Sequence, residues 1–323
     1  MRKIWCGPVG VVAFLGAVGI LAPARSPADL LYGTDLANGK IVTIDTDTNA
    51  VTTLVNVPNP DTLVFDLGGR IIYSAYLAGQ VRRYDPATGT DVLVAGGFNR
   101  PVDLALEPGG NSVLVAEQAG RKIDRINLVT NAVSLLRTTS GSTNGLTYDN
   151  SGRLFATISL STFAELNPTT GAVLHSVTVP NDIDGVTFDS VTGLLYAASQ
   201  GSSRIFSFNP NSLASGETLL TAVPGPDGIV SDGKGNLYIA ARGDFHVYRY
   251  NFASRSLIRG ASVPGLDDLA PASGLGSIPE PGSLVLLGTG ALGLLGHSWY
   301  RRRVARARTS LSSLLGGTRD ASP

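Results

Sequence analysis

Cysteine, histidine and charge are all scarce in this chain of 323 residues. There is one cysteine, Cys6, and there are three histidines, His175, His246 and His297. One thiol cannot make an intramolecular disulfide, so core burial alone must hold the fold. Two histidines in the body, at His175 and His246, leave little room for an imidazole-rich metal centre or a proton relay. No serine stands in a Gly-x-Ser-x-Gly elbow. Charged residues make up 15% of the chain, well below the usual quarter. Their distribution is uneven. Residues 29–279 carry 16 Lys and Arg against 23 Asp and Glu, an excess of seven negative charges. An acidic body without a basic patch excludes nucleic acid as a partner, because phosphate binding needs clustered positive charge. What the sequence has in plenty is glycine, at 39 residues, which suits many short strands joined by tight turns.

The two ends have their own grammar. Residues 1–28 read as a secretory signal peptide: basic Arg2 and Lys3, an apolar run from Trp5 to Ala22, then small-x-small sites at Ala22–Ala24 and Ser26–Ala28. Signal peptidase is expected to cut after Ala28, with Ala24 as the second choice. Cys6 lies at the start of the apolar run, with nearly all of the run after it, the wrong order for lipid attachment, and the cut removes it. At the other end, a linker over residues 275–282 contains Pro279-Glu280-Pro281-Gly282. An apolar stretch over 283–300 follows, then Arg301-Arg302-Arg303 and a basic tail over 301–323. As a helix the 18-residue stretch spans about 27 Å, close to a bilayer core. The arginines would hold its far end in the cytoplasm and leave the body of the chain outside. Gly288-x-Gly290-x-x-Gly293 lies within this stretch, with no following strand and no acidic residue about 20 positions on. It is a packing face, not a dinucleotide fingerprint.

This three-part tail resembles the PEP-CTERM sorting signal, in which Pro-Glu-Pro, one hydrophobic helix and a basic cluster follow in order. The resemblance implies export, transient anchoring in the inner membrane, and recognition and cleavage by an exosortase. Here Pro279, Glu280 and Pro281 are the motif and Arg301, Arg302 and Arg303 the basic cluster. Family tails end soon after the arginines, whereas this one continues from Val304 to Pro323.

Between the ends the chain repeats. Strands rich in β-branched and aromatic residues begin at Leu30, Ile71, Val113, Leu154, Leu195 and Leu237. Each is followed by a second strand ending in Asp45, Asp85, Asn127, Asn167, Asn209 or Asn251, at spacings of 40, 42, 40, 42 and 42 residues. A turn and a third strand come next, and a further strand opens the following unit, as in Asp61–Asp66 and Asp184–Asp189. Four short strands per unit of about 41 residues is the pattern of a propeller blade. The body starts at the second strand of one unit and ends after the first strand of another. Leu266–Ala270 is therefore expected to supply the innermost strand of the blade that opens at Leu30. The fold class is all-β: a six-bladed propeller over residues 29–274, closed by its C-terminal strand. The segment Pro226–Ala240 resembles the NHL, gluconolactonase and streptogramin-lyase group of six-bladed propellers.

Blade geometry puts the loops entering the first strands on one face, around one mouth of the central channel. Asp61, Asp103, Asn144, Asp184, Asp227 and Asp267 fall there. Asp35, Tyr76, Glu117, Gln118, Gln200 and Asp244 come from loops on the same face. Oxygen groups converging in this way can take Ca²⁺ or Mg²⁺, and Asp61, Asn144, Asp184, Asp227 and Asp267 form the candidate set. The bland reading of the same Asp-Gly pairs is turn chemistry. Asp45-x-Asp47-x-Asn49 begins like a calcium loop, but lacks the glycine and the acidic residue that complete one, and aligns with ordinary hairpin turns. The lyases of the resembled group use a histidine base that nothing here matches. The lactonase metal set implied by the resemblance needs a Glu, an Asn and an Asp. Asn144 with Asp184 or Asp227 supplies two of them, and no Glu opens the first repeat. The leading reading is an exported surface or extracellular-matrix binding or scaffold protein, with extracellular polysaccharide as a candidate partner. The alternative is a divalent-metal-dependent lactonase- or lyase-like enzyme using the acidic mouth.

Overall fold

A computed structural model describes residues 30–179, 182–214 and 216–271. The signal peptide, the Pro-Glu-Pro linker, the apolar stretch and the basic tail all lie outside them. Twenty-four strands are found among the described residues. They run β1 (Leu30–Asp35), β2 (Lys40–Asp45), β3 (Val51–Asn56), β4 (Pro60–Phe65), β5 (Ile71–Ala75), β6 (Gln80–Asp85), β7 (Thr90–Gly96) and β8 (Pro101–Leu106). Next come β9 (Ser112–Glu117), β10 (Lys122–Asn127), β11 (Val133–Thr138), β12 (Leu146–Tyr148), β13 (Leu154–Ser159), β14 (Thr162–Leu166), β15 (Val173–Thr178) and β16 (Val186–Asp189). The described residues end with β17 (Leu194–Ser199), β18 (Arg204–Phe208), β19 (Glu217–Thr221), β20 (Pro226–Ser231), β21 (Asn236–Ala241), β22 (His246–Asn251), β23 (Ser256–Ser262) and β24 (Leu266–Pro271).

These strands form six four-stranded antiparallel sheets, five of them consecutive in sequence and one in the order β24-β1-β2-β3. The out-of-order sheet is the closure expected from the phase of the repeat. In it Leu31 pairs with Pro271, Tyr32 with Ala270 and Gly33 with Leu269.

The second strand of each blade is apolar on both faces: β5 and β9 are buried at every residue. Each blade lies between two others, so both faces of its middle strands are covered and the two-residue alternation of a half-exposed sheet disappears. The outermost strands retain exposed positions, most completely β15. Six apolar clusters hold the molecule, one at each contact between neighbouring blades. Leu266 and Leu269 of β24 pack with Leu31, Val42, Ile44, Tyr238 and Val247, joining the last blade to the first. Fully burying one such leucine contributes about 1.5–3 kcal/mol. Because the core lies between blades, the centre of the ring is left open.

The outer hairpins are built by Asx turns. Asp45 Oδ1 accepts hydrogen bonds from the backbone N–H groups of Asp47 and Thr48, and Asn127 and Asn167 do the same in their turns. The fifth residue of each of these turns is left-handed, with φ of 59° at Asn49 and 69° at Gly171. The Asp45–Asn49 segment is thus the hairpin expected, not a calcium loop.

Candidate functional site

The innermost strands line the central channel, and each begins with a local irregularity that decides which side chains enter it. In all six blades two residues of the inner strand oppose one residue of the second strand. Asp267 and Asp268 oppose Thr34, Asp61 and Thr62 oppose Ser74, and Asp227 and Gly228 oppose Ala240, each at a register shift. Val102 and Asp103 face Ala116 in the same way. Asn144 and Gly145 straddle Thr157, whose Oγ1 accepts both of their N–H groups at 2.8 Å. Asp184 and Gly185 are similarly bonded to the two backbone groups of Ala198. Bulges of this kind re-aim side chains, and here they turn consecutive residues toward one opening. Hydroxyls in the second strand hold two more of them. The N–H of Asp268 donates to Thr34 Oγ1 at 2.9 Å, and the N–H of Thr62 donates to Ser74 Oγ at 3.2 Å.

Three of these pairs end in glycine, and the structure gives the reason. A Cβ on Gly145 would stand 2.4 Å from the carbonyl oxygen of Asp184, and one on Gly228 would stand 2.1 Å from Asp268 Oδ1. The inner strands of adjacent blades meet there without space for a side chain. The Asp-Gly pairs are therefore close-approach points and not turns, which corrects the turn-chemistry reading.

The resulting cavity measures about 580 Å³ and is lined by Asp61, Asp103, Asn144, Asp184, Asp227 and Asp267 together with Thr62 and Asp268. All five residues expected to hold a cation thus share one mouth. Asp103 is the second residue of its bulge, level with Thr62 and Asp268. Those three are linked: Thr62 Oγ1 donates to Asp268 Oδ2 at 2.6 Å and lies 3.4 Å from Asp103 Oδ1. Asp103 Oδ2 also accepts the N–H of Leu146 at 2.5 Å, which ties the third blade to the fourth. None of Asp35, Tyr76, Glu117, Gln118, Gln200 and Asp244 lines the cavity. Asp35 caps its own loop through Asn38, Glu117 accepts the N–H of Asn99 and pairs with Lys122, and Asp244 pairs with Arg259. His175 pairs with Glu165 on the rim and His246 lies beside Asp244, both away from the channel as expected.

Arg242 is the participant that the sequence did not disclose. Its Nη1 lies 2.9 Å from Asp227 Oδ2 and its Nε 3.1 Å from Asp267 Oδ1, so one guanidinium bridges two blades. It serves only that side of the mouth. Across the ring, Asn144 is 5% exposed and its Oδ1 has no hydrogen-bond partner, and neither has Asp182 Oδ1.

The electrostatics follow from this crowding. Burial pushes the Asp61 carboxyl well above the usual carboxylate range, with the charges of Asp267, Asp227, Asp184 and Asp268 adding to it. Burial likewise raises Asp103, Asp184 and Asp267, reinforced mainly by Asp268 for the first and by Asp227 for the other two. Arg242 opposes the rise at Asp267. Asp268 is pushed up to about 7 by burial, even though its bonds from Thr62 and the Leu269 N–H favour the ionised form. All of these shifts favour the protonated acids in the folded mouth. Among the described residues no three His, Cys, Asp or Glu side chains are grouped as a metal-binding set.

Taken together, the described residues define a six-bladed β-propeller whose channel is acidic at one mouth. Solved structures share this fold. A chain of the nidogen/laminin complex aligns over 74% of this chain and 96% of its own, at 16% identity and a TM-score of 0.65. The virginiamycin B lyase of Staphylococcus aureus aligns over 74% of this chain and 82% of its own, at 14% identity and a TM-score of 0.55. At such identities the likeness is one of fold. No curated protein matches the chain. Residues 277–303 match the PEP-CTERM protein-sorting motif. That match takes in Pro279, Glu280, Pro281 and the Arg301–Arg303 cluster. It marks the chain for export and sorting to the cell surface, with processing by an exosortase and membrane association at the C-terminus. The match gives no support to a polysaccharide partner.

Proposed function

We propose that this chain is an exported surface or extracellular-matrix protein whose propeller is its binding or scaffold module, displayed after exosortase processing. The observation that carries the reading is the sorting motif at 277–303, only a few residues beyond the strand that closes the ring at Pro271. A signal peptide over 1–28 would start export. The apolar stretch over 283–300 would hold the chain in the membrane until the tail is cut, with 301–323 on the cytoplasmic side. The propeller then faces outward, and its acidic mouth is the face with polar groups left to satisfy. Replacing Pro279, Glu280 and Pro281 with alanine in a host that has an exosortase should leave a longer, membrane-retained form. Equal processing and equal surface display of wild type and variant would overturn the reading.

The unpartnered Asn144 Oδ1 among carboxylates favours one second reading, a divalent-metal-dependent lactonase- or lyase-like enzyme. Asp61, Asn144, Asp184, Asp227 and Asp267 would hold Ca²⁺ or Mg²⁺, which take six or more oxygen ligands. The guanidinium of Arg242 already lies between Asp227 and Asp267, so the full set closes on a cation only if Arg242 withdraws. Stabilisation by millimolar Ca²⁺ or Mg²⁺ that is lost in the Asp184→Asn, Asp227→Asn double variant would support this reading. Unfolding indifferent to both ions would remove it.

A further inference from the structure

The two sides of the mouth are not equivalent. On the side of the sixth and first blades, Arg242 donates a hydrogen bond to Asp227 and places its positive charge beside Asp267, whose Oδ1 makes no hydrogen bond. On the side of the fourth and fifth blades the acceptors are in place and the donors are missing. Asn144 Oδ1 has no partner although the residue is more than nine-tenths buried, and Asp182 Oδ1 has none either. Asp184, two residues after Asp182, lines the cavity with Asn144 and is partly exposed. The two elements are adjacent, since a Cβ on Gly145 would meet the Asp184 carbonyl and the Val186 side chain. A buried acceptor without a donor is costly, and this one lines a cavity of ligand size.

We propose that this half of the mouth binds a primary ammonium group carried on an apolar body. The ammonium would donate to Asn144 Oδ1 and to the carboxylate of Asp184, across the mouth from Arg242. Three observations choose this chemistry over a bare cation. An ammonium has three donors and no acceptor, matching the unpartnered Asn144 Oδ1 and an Asp184 carboxyl that can give up its proton. The cavity, at about 580 Å³, falls within the range of small-molecule sites and far exceeds one ion. Its lining beyond the carboxylates is mixed, with Val64, Leu106, Val230 and Pro271 partly exposed beside Thr147, Tyr148 and Thr187, so a carbon skeleton has apolar surface to lie against. Raised carboxyl pKa values add a consequence: a bound cation favours the ionised acids, so binding expels protons.

The inference rests on the reading of the propeller as a binding module, and it fails or stands separately from the sorting of the tail. Full-length protein is titrated calorimetrically at pH 7 with n-hexylamine, n-hexanol and CaCl₂, the amine in two buffers of different ionisation enthalpy. We expect n-hexylamine to bind with proton release, n-hexanol to bind at least tenfold more weakly, and Ca²⁺ not to substitute for the amine. Asp184→Asn and Asn144→Leu should each weaken the amine at least tenfold. Equal binding of amine and alcohol overturns the proposal, as does the absence of amine binding to wild type, neither of which depends on any variant folding. Ca²⁺ binding that excludes the amine overturns it in favour of the metal reading. A processed, displayed protein that ignores n-hexylamine sinks this inference alone, whereas a retained tail sinks the sorting reading and leaves this test intact.

Discussion

Replacing Asp268 with asparagine should flatten the dependence of stability on pH. Asp268 is raised from 3.8 to about 7 by burial in the channel. A group whose folded pKa is raised binds a proton in the folded state that the unfolded state gives up. The folded state therefore loses stability as pH rises from about 4, where the unfolded carboxyl ionises, to about 7, where the folded one does. A shift of about three units corresponds to roughly 4 kcal/mol at 1.36 kcal/mol per unit, an upper bound because the neighbouring acids share the protons. Asparagine cannot ionise, and its amide oxygen can still accept the N–H of Leu269 that Asp268 Oδ1 accepts at 2.7 Å. Urea unfolding of wild type and Asp268→Asn at pH 5 and pH 8 checks the argument. Near pH 5 the variant should be equal to wild type or slightly weaker, through the altered bond to Thr62. By pH 8 it should be the more stable by about 1–4 kcal/mol. A constant difference between the two proteins from pH 4.5 to pH 8 would refute the claim that Asp268 keeps its proton in the folded state.

Other consequences are as direct. Leu269→Ala, in the cluster that joins the last blade to the first, should cost about 2–5 kcal/mol in chemical denaturation. Ending the chain at Pro264 removes β24 altogether and should lower the melting temperature sharply, since β1 then loses its inner partner; an unchanged melting curve would deny ring closure. Gly228→Ala forces a methyl against Asp268 Oδ1 and Cα at 2.1 and 2.6 Å, and should cost about 1–3 kcal/mol by overpacking, measured in the same way.

The architecture was legible because a blade repeats its signals. Strand, Asx turn and strand recur at 40 or 42 residues from Asp45 to Asn251, and a repeat that begins and ends in mid-unit can close only by pairing β24 with β1. The mouth was legible to within one residue. Asp61, Asn144, Asp184, Asp227 and Asp267 all reached it, but the bulge that turns two successive residues inward is a property of strand pairing, and periodicity does not reveal it. Hence Thr62 and Asp268 were missed, although the tandem Asp267-Asp268 was a signal available in the sequence. Arg242 was missed for another reason. It follows strand β21, a place held in other blades by Tyr76, Gln118 and Gln200, and only the three-dimensional closeness of Asp227 and Asp267 makes it their counter-ion. The loop residues Asp35, Glu117 and Asp244 failed in the opposite direction. They lie on the expected face, but each has a nearer partner in its own blade.

The central claim is that an outward-facing propeller is delivered by the tail that follows it. The most direct measurement is intact-mass spectrometry of the protein released from the surface of a host that has an exosortase. The account predicts a chain that begins near Asp29, contains the whole propeller to Pro271, and has lost Arg301–Arg303 and everything beyond. A surface protein that still carries Arg306 to Pro323 would contradict it.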